Sequence, residues 1–234
     1  MSNSYGPNIV TNGLILHLDV ANQRSYNTTG NTLYDLSGSG NNGSLINGPT
    51  YSQGNSGNLT FNGSNQYINI SNIALPTGSN PHTVSSWIYK LGDNTSNGWV
   101  SLFGYGVNAN NQKRMLFVSS NFGLNNKVYT GFYSNDYNWG TGITNNVWTH
   151  LAWVFDGSIE YLYINGALYN THTPSGGINT TLDSTNHCIA GYFDTGFISY
   201  YNGKISNFSL YNRSLSATEV LQNYNAHKSR FGLT

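Results

Sequence analysis

The sequence predicts an all-β protein, a sandwich or a barrel, with one short helix near its C-terminal end. Short segments of alternating apolar residues recur about every ten residues, and turn-forming Asn, Gly and Ser separate them. Aromatic residues make up 14% of the 234-residue chain, against 8% for charged residues. This aromatic content, together with the repeated alternating segments, favours a packed core over disorder.

The clearest strand signal lies in residues 148–169, where large apolar residues alternate along the chain. Asp156-Gly157 and Asn165-Gly166 divide this segment, and such pairs supply the positive φ of tight hairpin turns. We therefore expect strand, turn, strand, turn, strand. Both faces carry large apolar groups, which is typical of central strands in a packed sheet.

Similar alternation predicts the remaining strands. They are expected at 14–19, at 59–61 and 66–70 as a hairpin, at 83–89, at 99–105 paired with 114–118, at 127–133, at 187–192 and at 203–211. Ser216 and Glu219 have the spacing of a capping box, which predicts an amphipathic helix over 216–227.

Composition limits the function classes. Nine basic and nine acidic residues give a net charge of zero, so nucleic acid is not an expected partner. We find no apolar run long enough to span a bilayer and no signal peptide. Cys188 is the only cysteine and is expected to be buried and inert. The expected organisation is a polar leader over 1–12 and one domain over 13–234.

Five groups of motifs occur in a characteristic order. They are GLILHLD at 13–19 with YDLSG at 34–38 and NNG at 41–43, FNG at 61–63 with YI at 67–68, WTHLA at 148–152 with YING at 163–166, GKISNFSLYNR at 203–213, and LS at 215–216 with EV at 219–220. In this order they resemble the laminin-G-like domains of the concanavalin A-like lectin/glucanase superfamily. The resemblance runs over residues 13–233 and implies two antiparallel sheets in a jelly roll.

The ending of the chain, from YNRSLS at 211–216 to NYNAHKSRFGL at 223–233, looks most like domains of phage and large-virus structural proteins. This resemblance implies a non-enzymatic structural or adhesion protein on a virion surface, assembled in the host cytoplasm. Its expected partners are other virion or surface subunits, with weak carbohydrate binding as an additional property. A dedicated carbohydrate-binding lectin is the second hypothesis and a glycoside hydrolase is the third.

Catalysis is not expected from the distribution of acidic residues. Hydrolases of this superfamily carry paired carboxylates as E-x-D-x-x-E on one strand, and a retaining mechanism needs them about 5–5.5 Å apart. Here no two acids are spaced i, i+2 or i, i+4 along one strand, and Asp156 and Glu160 flank a turn. The six His residues show no zinc-binding spacing, and no nucleophile elbow is present.

Calcium is the one metal that the resemblance raises, because many relatives hold it with loop oxygens. The positions that are often acidic in the family carry Asn65-Gln66 and Ser206-Asn207 here. Asp19, Asp35 and Asp194 remain as weak candidate ligands, each better explained as a turn or cap residue. We expect no cofactor and no tight calcium.

A carbohydrate site would need exposed aromatic rings beside amides or carboxylates. Two loop clusters offer these groups, and we take Tyr137, Asn138, Trp139, Tyr192 and Asp194 as the candidate residues. Within the loop 134–144, Tyr137 and Trp139 are expected to be exposed. These aromatics are at least as readily explained by packing onto the sandwich or onto a neighbouring subunit.

Overall fold

The computed structural model describes residues 7–70, 73–93, 98–119, 127–182, 187–194 and 197–234. Its strands in chain order are β1 (Leu14–Asp19), β2 (Thr32–Leu33), β3 (Gly43–Ile46), β4 (Thr50–Ser52), β5 (Asn58–Asn62), β6 (Tyr67–Asn69), β7 (His82–Lys90), β8 (Val100–Gly106), β9 (Lys113–Ser119), β10 (Tyr129–Gly131), β11 (Asp136–Asn138), β12 (Trp148–Phe155), β13 (Glu160–Ile164), β14 (Ala167–His172), β15 (Cys188–Ile189), β16 (Gly191–Asp194), β17 (Phe197–Tyr200) and β18 (Asn202–Tyr211). The helix α1 (Ala217–His227) and a 3₁₀ turn (Lys228–Phe231) end the chain.

These strands form two large antiparallel sheets. The first sheet has the order β14-β13-β12-β7-β18-β5-β4, with β1 also paired to β18. The second sheet has the order β11-β10-β9-β8-β15-β6-β3-β2, and β16 and β17 form a separate hairpin. The predicted two-sheet antiparallel jelly-roll sandwich with a short C-terminal helix is confirmed.

The core lies between the sheets and follows from alternation along each strand. In β12, Leu151, Trp153 and Phe155 face the core, while Ala152 and Val154 belong to a cluster on the outer face with α1. The three strands predicted in residues 148–169 are present, and β12 is paired on both sides, to β7 and β13. Phe103 and Phe208, 5.2 Å apart between ring centroids, connect the two sheets.

The helix α1 covers the outer face of the first sheet, and its start has the predicted capping box. The Ser216 side chain accepts a hydrogen bond from the Glu219 backbone N–H, and the Glu219 carboxylate accepts one from the Ser216 backbone N–H. Val220 is buried against the sheet. Tyr211 and Asn223 hold the chain near Val10 on the same face. In the portion of the chain that the structure covers, no helix is long and apolar enough to cross a membrane.

One predicted hairpin is wrong. The strand at 58–62 pairs with β18 and β4 in the first sheet, whereas the strand at 67–69 pairs with β3 and β15 in the second. The Asn62 side chain accepts hydrogen bonds from the backbone N–H groups of Ser64 and Asn65, and Gly63 has a φ of +71°. This Asx-type turn carries the chain from one sheet to the other, and alternation alone does not distinguish such a crossover from a hairpin.

Candidate functional site

A pocket of about 340 Å³ opens on the outer face of the second sheet, and we call it the outer pocket. Aromatic and acidic side chains dominate its lining. The lining residues are Trp99, Met115, Phe117, Tyr129, Thr130, Gly131, Tyr133, Ser134, Asp136, Tyr192 and Asp194. They come from β9, β10, β11 and β16 and from the segments that adjoin them.

The pocket floor is built by strand alternation. In β9, Leu116 and Val118 face the core, so Met115 and Phe117 face outward. Tyr129 in β10 joins them in an outer apolar cluster. A solvent-facing strand surface is usually polar, so this apolar face marks a covered or ligand-binding surface.

The hairpin of β16 and β17 supplies one wall of the pocket. The predicted strand at 187–192 is interrupted at Ala190, whose φ is +63°. Only Cys188 and Ile189 pair within the second sheet, and the chain then leaves it as β16. Positive φ is unfavourable for a residue with a Cβ. At Ala190 this conformation accompanies the departure of the chain from the sheet, after which Tyr192 packs against Phe117 with 5.2 Å between the ring centroids.

The rings form a connected aromatic surface. Trp99 lies edge-to-face against Phe117 at 4.7 Å and against Tyr129 at 5.6 Å. Met115, Phe117, Tyr129 and Tyr192 are largely buried by this packing. Edge-to-face contacts of this kind fix ring positions, so a ligand would meet a surface formed in advance.

Two carboxylates stand beside these rings. Asp136 of β11 pairs with Gly131 of β10, and a Cβ placed on Gly131 would lie 2.1 Å from the Asp136 Oδ1 atom. The Asp136 carboxylate therefore lies over Gly131 in space that only a glycine leaves open. Asp194 accepts a hydrogen bond of 3.3 Å from the Tyr192 hydroxyl.

The surroundings shift the pKa of one pocket carboxylate, Asp136, and of two pocket tyrosines, Tyr133 and Tyr192. Partial desolvation raises the pKa of Asp136 to about 6, with a smaller contribution from the charge of Glu160, although one side of Asp136 stays open to solvent. The charge of Asp194 raises the pKa of Tyr133. Burial, followed by the Asp194 charge, raises the pKa of Tyr192. The pocket therefore holds negative charge at neutral pH beside tyrosines that remain protonated.

The candidate residues chosen from sequence divide into two groups. Tyr192 and Asp194 line the outer pocket. The expectation that Trp139 is exposed is wrong, because its ring is 3% exposed in the core and its Nε1 donates to Thr130 Oγ1 at 3.0 Å. Tyr137 faces inward and stacks on His172 at 3.7 Å. Asn138 accepts a hydrogen bond from the Gly140 backbone and acts as a turn residue.

Sequence reasoning missed several pocket residues, chiefly Trp99, Tyr129, Tyr133 and Asp136. The polar composition of residues 134–144 hid the short strand β11, in which Asp136 faces outward and Tyr137 inward. One signal in the sequence could have indicated the pocket. In β9, apolar residues occupy both faces of the strand, although the strand lies near a sheet edge, where one face is usually polar.

The candidate calcium ligands are located in separate places. Asp19 forms a two-point ion pair with Arg230, at 2.8 and 2.9 Å. Asp35 accepts hydrogen bonds from the backbone N–H groups of His17, Ser37 and Asn41. Within the described ranges, no group of three or more His, Cys, Asp or Glu side chains could hold a metal ion.

The fold is shared with domains of both enzymes and binding proteins. Domain 4 of AbnA, a GH43 extracellular arabinanase from Geobacillus stearothermophilus solved with arabinotriose, has a TM-score of 0.67 at 19% identity, covering 90% of this chain and 98% of that domain. The binding domain of Paraclostridial Mosquitocidal Protein 1 has a TM-score of 0.64 at 17% identity, and the match covers 95% of this chain and 56% of that chain. Trypanosoma rangeli sialidase has a TM-score of 0.62 at 15% identity, covering 95% of this chain and 34% of the sialidase.

At these identities the likeness shows the fold alone. A search of curated protein sequences gives no match. A laminin-G-type family model, described as the concanavalin A-like lectin/glucanases superfamily, matches residues 62–221, which is more than half of the chain. The chain therefore belongs to the concanavalin A-like lectin/glucanases superfamily.

Proposed function

We propose that this protein is a non-catalytic carbohydrate-binding domain and that the outer pocket holds the sugar. The observation that carries this proposal is the combination of a connected aromatic surface with two carboxylates in one open pocket. Aromatic rings pack on the apolar faces of pyranose rings, and carboxylates accept hydrogen bonds from hydroxyl groups.

The size of the pocket suits a short oligosaccharide. Its volume of about 340 Å³ lies near the lower end of the roughly 300–1,000 Å³ typical of small-molecule sites. The pocket is open on one side, so further sugar units could extend over the neighbouring surface. The comparisons lend support, because one similar domain was solved with arabinotriose and another is named as the binding domain of its protein.

The absence of catalysis is also part of the proposal. A glycosidase needs two carboxylates that flank the scissile bond, one of them free to act as acid. Of the two carboxylates in the outer pocket, Asp194 accepts a hydrogen bond from the Tyr192 hydroxyl, so Asp136 has no second unengaged carboxylate of the described pocket lining as its partner. Glu160 is buried and accepts hydrogen bonds from Trp153 Nε1 and His172 Nδ1, at 2.9 and 2.8 Å. Its position away from the pocket lining supports a structural role.

A glycan array followed by calorimetric titration tests the proposed binding. Trp99→Ala removes a large ring from the pocket, so we expect affinity for any bound glycan to fall at least about ten-fold. Tyr169→Ala is the matched control, because Tyr169 is an exposed aromatic residue, 46% accessible, on the first sheet. An array without binding, or equal losses in both variants, would contradict the proposal.

The setting of this binding is a further part of the proposal. The motif order at the end of the chain supports a virion-surface structural or adhesion protein that contacts other subunits. The exposed edge strand β14, with Leu168 and Tyr169 about half accessible, offers an uncharged surface for such contacts. Mass spectrometry of purified particles tests this setting, and consistent absence of the chain from them would rule it out.

A further inference from the structure

The lining of the outer pocket has acidic groups without basic ones. Asp136 and Asp194 are its charged members, and no Lys, Arg or His occurs among the described residues that line it. Lys113 lies behind the lining, with Nζ 4.2 Å from the Tyr192 ring centroid. It is fully buried and donates to Asn108 Oδ1 and to the Phe193 carbonyl, so its ammonium group is held by these two acceptors and is not among the groups that line the pocket.

The aromatic rings add to this negative character. Five rings line the pocket: Trp99, Phe117, Tyr129, Tyr133 and Tyr192. The face of an aromatic ring carries partial negative charge and attracts cations, most strongly where water is excluded. Rings and carboxylates around one cavity therefore form an environment that favours an ammonium group.

We propose that the sugar held in the outer pocket carries a protonated amino group, so that the domain selects amino sugars over neutral and acidic ones. The proposal rests on the carbohydrate-binding function proposed above and specifies the class of ligand. In a bound amino sugar, the ammonium group donates to Asp136 or Asp194 while the sugar ring packs against the aromatic surface. An acidic sugar would place its carboxylate beside two like charges, which is unfavourable in a partly desolvated site.

The position of Asp194 supports this role. Its carboxylate is oriented by the Tyr192 hydroxyl and lies close to Tyr133, whose pKa its charge raises. Asp136 is held over Gly131, next to the Met115 side chain. Asp194 is therefore oriented by the fold before a ligand arrives, which reduces the entropy cost of binding, and the pairing of β11 with β10 places Asp136 at the same pocket.

Calorimetric titration of the full chain with two sugars of equal length tests the proposal. The probes are the trimer of glucosamine, whose amino groups can be protonated, and the trimer of N-acetylglucosamine, in which each nitrogen is part of a neutral amide. We expect the glucosamine trimer to bind about ten-fold more tightly at neutral pH and low salt, and this preference to shrink as salt is added.

Isosteric variants locate the effect. Asp136→Asn and Asp194→Asn should each reduce the preference for the charged trimer several-fold, while their thermal unfolding midpoints show that the fold is kept. Asp156→Asn, in a turn of the first sheet, should leave the preference unchanged. Equal reductions in all three variants would overturn the proposal.

The outcomes separate this inference from the function on which it rests. If the N-acetylated trimer binds as tightly as the charged one and Trp99→Ala abolishes both, the amino-sugar preference is refuted and carbohydrate binding stands. If an acidic oligosaccharide binds more tightly than either trimer, the preference is refuted as well. If no glycan binds at all, the proposed function itself fails.

Discussion

Gly131 is the residue on which the position of Asp136 depends. Adding a Cβ here would create contacts of 2.1 Å to Asp136 Oδ1 and 2.9 Å to Met115 Cε. We expect Gly131→Ala to displace the carboxylate and to weaken glycan binding several-fold in titration. The control is Gly177→Ala, since a Cβ at Gly177 would contact nothing within 4 Å. Unchanged affinity in Gly131→Ala would show that Asp136 does not contribute.

Three buried histidines lie between the first sheet and the C-terminal segment. His150 shares a hydrogen bond of 2.9 Å with Ser85, His17 shares one of 2.9 Å with Ser209, and the rings of His17 and His227 stack at 6.4 Å. Burial lowers the pKa of His150 and of His227 to about 3 and also lowers that of His17. Charges facing this cluster come from Asp19, Asp35 and Arg230.

This cluster gives the protein a stability that depends on pH. A histidine whose pKa is lower in the folded state binds more protons when unfolded, so stability is complete above about pH 6.5 and falls as the pH drops toward 3. Each such group contributes about 1.4 kcal/mol per pH unit in this window. Urea unfolding at pH 7 and pH 5 should show the loss, and His150→Gln should make the slope shallower. An unchanged slope would contradict this account.

Single residues also show where sequence reasoning reaches its limit. Tyr192 and Asp194 were chosen for their aromatic and acidic character, and both line the outer pocket, while their binding of a sugar stays a prediction. Trp139 has the same character and a similarly polar neighbourhood, yet it belongs to the core. The difference lies in the tertiary partner, since Thr130 accepts the indole hydrogen bond and satisfies the polar end of the buried ring.

Among the elements, the 3₁₀ turn after α1 closes the outer face of the first sheet. Its Phe231 stacks on Trp87 at 4.2 Å and contacts Trp148 at 4.7 Å. Arg230 in the same turn pairs with Asp19. These contacts bring the last residues of the chain onto β1, β7 and β12.

Truncating this ring should therefore destabilise the whole sandwich. Because Phe231 is only partly buried, we expect Phe231→Ala to cost about 2 kcal/mol, less than a fully buried Phe, measured by urea unfolding. Leu221→Ala is a suitable control, since Leu221 on α1 is 44% accessible and its loss should cost less than about 0.5 kcal/mol. Similar losses in both variants would mean that the stack contributes little.

Strand ends and the helix start were predictable from sequence where neighbouring residues determine the turn or the cap. The turns at Asp156-Gly157 and Asn165-Gly166 separate β12, β13 and β14 as expected, and Ser216 starts the helix. The crossing at residues 62–66 and the interruption at Ala190 were not predictable, because both depend on which sheet the following strand joins. That choice is made by pairing partners far away in sequence.

At the scale of the whole molecule, the single thiol can report on unfolding. Cys188 is fully buried in the second sheet, and burial raises the pKa of its thiol to about 12. The thiolate is the reactive form, so native protein should resist alkylation and denatured protein should react completely. The rate of labelling by iodoacetamide should therefore follow the opening of the sandwich. Rapid labelling of the native protein would contradict this expectation.

The independence of the fold from calcium remains a prediction. Asp19 is neutralised by Arg230, and Asp35 is engaged by backbone N–H groups, so neither carboxylate needs a metal ion. A ligand that binds only the folded state raises the thermal unfolding midpoint, so removing bound calcium would lower that midpoint. Because we expect no bound calcium, a chelator should shift the midpoint by less than about 1 °C. A large drop would show that calcium is bound.

The two outer faces of the sandwich differ in what lies on them. Residues 8–10 and α1 lie against the outer face of the first sheet, whereas the outer pocket lies on the outer face of the second. A polypeptide attached after Thr234 would therefore leave on the side away from the pocket. Anchoring the domain through a C-terminal tag, on a sensor surface or on a larger assembly, would orient the pocket toward the surrounding solution.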